Sequence, residues 1–139
     1  MPTFRLNKLV RDKLPSIYES LGQKPTLRFL ANDEHKTALM DKIIEEAKEL
    51  QASITTTTRD DTVGEIADVQ QALDDLKALE GITDKEVKHK QAEKSAKSGG
   101  FADGVFIETL ALPHDDTWVK YYRQNPERYE EIDDENNAA

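Results

Sequence analysis

Apolar residues recur every three or four positions from Leu39 to Leu79, with one break near the middle, which is the period of two consecutive amphipathic helices. The first is expected over about 33–53, capped by Asn32 or Asp33. Leu39, Ile43, Ala47 and Leu50 form its apolar row, widened by Met40 and Ile44. Ile54 and the run Thr55 to Thr58 are β-branched and disfavour further helix, so they mark the turn of a helical hairpin. The second helix is expected over about 59–80, with Val63, Ile66, Val69, Leu73 and Leu76 on one face and Ala72 and Leu79 on its shoulder. Gly81 ends it, and Thr83 with Glu86 forms a capping box that opens a third, lysine-rich helix over about 84–97. Upstream, Pro15 and Gly22 bracket a short helix over about 15–21, followed by a connector from Pro25 to Leu30. Downstream, Ser98-Gly99-Gly100-Phe101 breaks the third helix, Val105 to Leu112 reads as a strand or extended arm, and Asp116 to Arg123 as a last short helix. The fold class is mostly α with a short β arm: a single domain over residues 1–132, then an acidic, frayed tail over 133–139.

Four acids disturb this pattern. Glu65 falls inside the apolar arc of the second helix, in line with Ala72, Leu76 and Leu79, and Asp68 sits at its margin. On the first helix Glu46 lies at the edge of the apolar row and Glu49 just beyond it. Residues three apart share a side of a helix, so each pair makes a two-carboxylate claw, and facing helices would bring the claws together. A charge on an apolar face is costly unless something of opposite sign meets it. A hard divalent cation held by Glu46, Glu49, Glu65 and Asp68 satisfies that demand, with magnesium the usual choice and manganese the alternative. Solvated helix faces of mixed charge account for most of these residues one at a time; two claws on consecutive helices, with Glu65 on an apolar face, weigh against that reading.

Charge and composition narrow the partners. The net charge of −9 is unevenly spread: residues 1–28 hold six Lys/Arg against two Asp/Glu, residues 88–98 four Lys against one Glu, and residues 31–86 fifteen acids against six bases. The acidity argues against non-specific nucleic-acid binding, while an acidic centre between two small basic patches suits a compact polyanion such as a nucleoside triphosphate. The absence of cysteine excludes disulfides, zinc knuckles and thiol nucleophiles. With neither a secretory h-region at the N-terminus nor a membrane-spanning run, a soluble cytoplasmic protein with no membrane partner is expected. At 37% hydrophobic residues the core is thin, so completion by a homodimer or dimer of dimers through the apolar helix faces is expected. Glu86-Val87-Lys88-His89 has the spacing of di-iron bundles, but those need two copies and this chain has one.

Glu45-Glu46-x-x-Glu49, fifteen residues, then Glu65-x-x-Asp68 resembles the EExxE…ExxD signature of the all-α nucleoside triphosphate pyrophosphohydrolases, the MazG-like superfamily that also holds dimeric dUTPases and phosphoribosyl-ATP pyrophosphohydrolase. Asn7 to Pro15 resembles the "KLVRDKIP" box of its small phosphoribosyl-ATP pyrophosphohydrolase-like members, and Lys97-Ser98-Gly99-Gly100-Phe101 with Gly104-Val105-Phe106 resembles their "RGGF…G-I/V-F" box. The resemblance spans about residues 4–108 and departs at Lys97, where arginine is usual. It implies a MazG-like helical bundle in which the four acids bind magnesium. It also implies an enzyme, a house-cleaning hydrolase that cleaves a nucleoside triphosphate, standard or modified, between the α and β phosphates to give the monophosphate and pyrophosphate. Glu45 or Glu46 would orient or deprotonate the attacking water. Lys8, Arg11, Lys13, Lys94 and Lys97 are the phosphate-contact candidates. Two alternatives stand beside this reading: phosphoribosyl-ATP hydrolysis in histidine synthesis, and a non-catalytic helical interaction module.

Overall fold

The computed structural model describes residues 1–56 and 58–132, and the chain falls into two compact units, Met1–Ser98 and Gly99–Ala139. The acidic tail expected over 133–139 and Thr57 of the threonine run lie outside the described residues. The described residues are helical where they are regular, with five helices. None of these helices is long and apolar enough to cross a membrane.

In the first unit, α1 (Leu14–Ser20) follows a non-helical arm, and α2 (Asn32–Ser53) and α3 (Arg59–Glu80) form the hairpin. An ion pair of 2.9 Å between Lys36 near the start of α2 and Glu80 at the end of α3 fixes the two as antiparallel neighbours. The cap of α2 differs from expectation. Ala31, which has no capping side chain, precedes the helix, and Asn32 is its first residue, with φ 53°. Asp33 and Glu34 in the first turn complement the helix dipole instead, and Glu34 is ion-paired with Arg28. The start of α3 is better defined. The Thr58 hydroxyl accepts from Asp61 N–H at 3.2 Å while the Asp61 carboxylate accepts from Thr58 N–H, a capping box hidden in the threonine run. Gly81 terminates α3 as expected, at a φ of 67° that a side chain would resist.

The buried row of the hairpin is not the expected one. Leu39, Glu46 and Ser53 are the buried residues of α2, seven apart, and Ala72 is that of α3, seven after the half-buried Glu65. Ile43, Leu50, Val69 and Leu76 flank this seam half-buried. Met40, Ile44, Ala47, Val63, Ile66 and Leu73, expected in the apolar faces, are exposed. The reason is rotational. At about 100° per residue, Met40, Ala47 and Ile44 lie about 100 to 160° round α2 from the seam, and Ile66, Leu73 and Val63 lie as far round α3 in the same sense. In an antiparallel pair these sets emerge on one side of the hairpin, and Glu45, Glu49 and Asp68 emerge on the other.

The helix α4 (Asp84–Ser98) opens with the expected Thr83–Glu86 box, in which Glu86 accepts from Thr83 N–H at 2.7 Å, and it buries no residue. An ion pair of 2.6 Å joins its first residue, Asp84, to Lys77 of α3.

In the second unit the expected strand is not formed. Val105 to Leu112 has no strand pairing among the described residues. α5 (Trp118–Gln124) begins where the Asp116 carboxylate accepts from Trp118 N–H at 2.8 Å. Trp118, Tyr121, Tyr122 and Tyr129 stack edge-on and tilted with centroids 4.7 to 6.3 Å apart, and Arg128 lies 5.4 Å from the Tyr129 ring centre. This aromatic cluster is the unit's main packing feature.

Candidate metal centre

The hairpin seam brings acids from both helices together. Carboxylate oxygens of Glu46, Glu49 and Glu65 all lie within 4.8 Å of one another. Glu46 is 6% exposed, and its Oε2 is buried with no hydrogen-bond partner; Glu65 Oε2 is in the same condition. An orphaned buried acceptor on an ionisable group costs of the order of 1–3 kcal/mol or more. Two such acceptors in one cluster offer a cation a pair of buried oxygens to engage. Glu49 registers the crowding. The charge of Glu46 pushes its carboxyl up most, burial adds to the rise, and the charges of Glu65 and Glu45 contribute less. A divalent cation with oxygen ligands fits this donor set, because it would take up both free oxygens and cancel the repulsion.

The expected fourth ligand stands apart. Asp68 is not in the three-glutamate cluster; its Oδ1 accepts from Arg11 Nη2 at 2.5 Å. Of the two candidate water-activating acids, Glu46 is in the cluster and Glu45 is outside it. Lys8 donates to Glu45 Oε1 at 3.2 Å and Lys42 to its Oε2 at 3.3 Å. Burial alone would raise the Glu45 pKa, but the hydrogen bond from Lys8 and the charge and hydrogen bond of Lys42 hold it below the ordinary glutamate range. Lys42 also meets Glu46 Oε1 at 2.7 Å. Burial opposes its charge, yet the hydrogen bond and charge of Glu46, then those of Glu45, hold its pKa above the usual lysine value.

Lys42 is the site residue that sequence reasoning missed. Its signal was legible in outline: a lysine four residues before Glu46 and three before Glu45 lies on their side of the helix. Of the five phosphate-contact candidates, the structure brings Lys8 and Arg11 to the acids. Among the described residues no ion pair joins Lys13, Lys94 or Lys97 to them. Lys13 stands at the N-terminal boundary of α1, and Lys94 and Lys97 are exposed on α4.

Comparison with known proteins adds kinship. The chain is 31% identical over 110 residues to an uncharacterized protein of Mycolicibacterium smegmatis, covering 79% of this chain and 88% of the relative. The chain belongs to that protein's family. No family model matches the sequence, and no solved structure matches it. The relationship spans most of both chains, so Glu46, Glu49 and Glu65 fall within a domain-sized similarity and not a shared fragment.

Proposed function

We infer that this protein is a magnesium-dependent nucleoside triphosphate pyrophosphohydrolase, with manganese able to substitute, acting as a homodimer or dimer of dimers. The observation that carries the reading is the convergence of Glu46, Glu49 and Glu65 within 4.8 Å with two buried, unpartnered oxygens. The EExxE…ExxD spacing supplies the reaction class. Bound at these carboxylates, magnesium would neutralise triphosphate charge and polarise the α-phosphorus. The chain's own residues would then do the positioning on which phosphoryl transfer mainly depends. Glu46 stands within the three-glutamate cluster, whereas Glu45 lies outside it with both oxygens engaged by ammonium groups. Orientation of the attacking water therefore falls to Glu46, with Glu45 holding Lys42 and Lys8 in place. Lys42 at the cluster, with Lys8 and Arg11 on the arm that crosses the acid side, would supply positive charge to an incoming phosphate chain.

Pyrophosphate release at saturating magnesium, measured over standard and modified nucleoside triphosphates and phosphoribosyl-ATP, tests the reading and separates the two substrate classes. Wild type should release pyrophosphate and nucleoside monophosphate from at least one substrate. Glu49→Gln should lower the rate by 100-fold or more, on the order expected for loss of a metal ligand's charge. A Glu49→Gln protein that folds and turns over at the wild-type rate would sink the proposal.

A further inference from the structure

The arm before α1, residues 1–13, contains no helix, and among the described residues two ion pairs tie its side chains to the hairpin. One reaches each claw helix. Arg11 holds Asp68 of α3, and Lys8 holds Glu45 of α2, from which Lys42 leads on to Glu46. The spacing along the chain is 57 residues for the first pair and 37 for the second, so folding has selected these contacts and local sequence has not. Their placement is informative. Asp68 is the one acid of the two claws outside the glutamate cluster, and it is the one that a guanidinium occupies. Both bonds are also weakly held. The side chains of Arg11 and Lys8 are 57% and 44% exposed, so water and salt screen them. The unpartnered oxygens of Glu46 and Glu65 are by contrast buried.

We propose that the N-terminal arm is a cation-exchange latch on the metal centre, a reading that rests on the metal binding inferred above. Arg11 neutralises Asp68 whenever no divalent ion does. A divalent ion entering the cluster outcompetes the single, screened charge of the guanidinium for Asp68, because it offers two charges to several oxygens at once. Arg11 is then released and the arm loses one of its two anchors. The positive charge that leaves the aspartate is replaced at the acids by the ion. Metal loading and arm release are thus one equilibrium.

The test uses manganese alone and the full chain. Amide hydrogen exchange in residues 5–13 is followed with and without Mn²⁺, and Mn²⁺ affinity is measured by electron paramagnetic resonance for wild type, Arg11→Gln and Glu49→Gln. The latch requires Mn²⁺ to speed exchange in the arm, and Arg11→Gln to bind Mn²⁺ about two- to fivefold more tightly, the scale of one screened ion pair. If wild type binds Mn²⁺ and Glu49→Gln does not, while arm exchange is unchanged and Arg11→Gln binds equally or more weakly, the latch is refuted and the metal centre stands. Should wild type fail to bind Mn²⁺ at all, both fall. An unfolded Arg11→Gln protein leaves the wild-type exchange measurement to decide alone.

Discussion

Glu49 is the residue at which the conflict inside the site is most visible. Its carboxyl takes up a proton more readily than an isolated glutamate because Glu46, and to a smaller degree Glu65 and Glu45, repel its charge. Removing that charge should relieve the repulsion in metal-free protein. Glu49→Gln should therefore melt higher than wild type in chelator at neutral pH, by less than about 1 kcal/mol, since Glu49 is exposed and its interactions are screened. Magnesium should reverse the order, stabilising wild type by mass action and leaving the variant where it was. Thermal melts with chelator and with millimolar magnesium check both halves, and a variant stabilised by magnesium as strongly as wild type would contradict them.

At the scale of elements, α4 makes the sharpest pH prediction. It buries nothing, so its capping box matters more to it than to a packed helix. Hydrogen bonds from Thr83, backbone first and then side chain, hold Glu86 below its ordinary value of 4.5. A lowered native pKa means that the folded helix binds fewer protons than the unfolded chain. The stabilisation is complete above 4.5 and disappears as pH falls through the lowered native value. Wild type should thus show more protected amides in residues 84–98 than Glu86→Gln at neutral pH, and the difference should vanish on acidification; a pH-independent difference would rule the box out as its source.

This same box was legible from sequence, as were Gly81 as a helix stop and the extents of both long helices to within a residue or so. Those features depend on neighbours along the chain. The Thr58–Asp61 box went unseen because the threonine run read as a turn, although its last member begins the next helix. The burial of Glu46 was harder to read. A single helix with Leu39, Ile43, Met40 and Ile44 offers a wide apolar sector, and only the partner helix decides which edge turns inward. Here it chose the edge that carries the acid. The Arg11–Asp68 and Lys8–Glu45 pairs were legible only as residue types, because charge patterning along a chain does not say which distant acid a cation will meet.

For the whole molecule, the apolar residues left outside bear on assembly. Leu39 and Ala72 are the hydrophobic residues most deeply buried, whereas Ile44 is 54% exposed and Ile66 51%, on the side of the hairpin away from the acids. A core so small is marginal for an isolated hairpin. The expected outcome of sedimentation equilibrium is therefore a particle of at least twice the 15.8 kDa chain mass, shifted towards monomer by Ile66→Lys. A monomer at every concentration tested would remove the homo-oligomer from the proposal.

The seven-residue rhythm of Leu39, Glu46 and Ser53 follows the cadence of a coiled coil, in which leucine or isoleucine would ordinarily occupy the middle beat. With a carboxylate there, the seam gives up apolar packing near its midpoint, and the proposed metal centre lies at that same point. A cation settling among those oxygens would also staple the two rods together, so that loading the centre and stiffening the scaffold would be a single event.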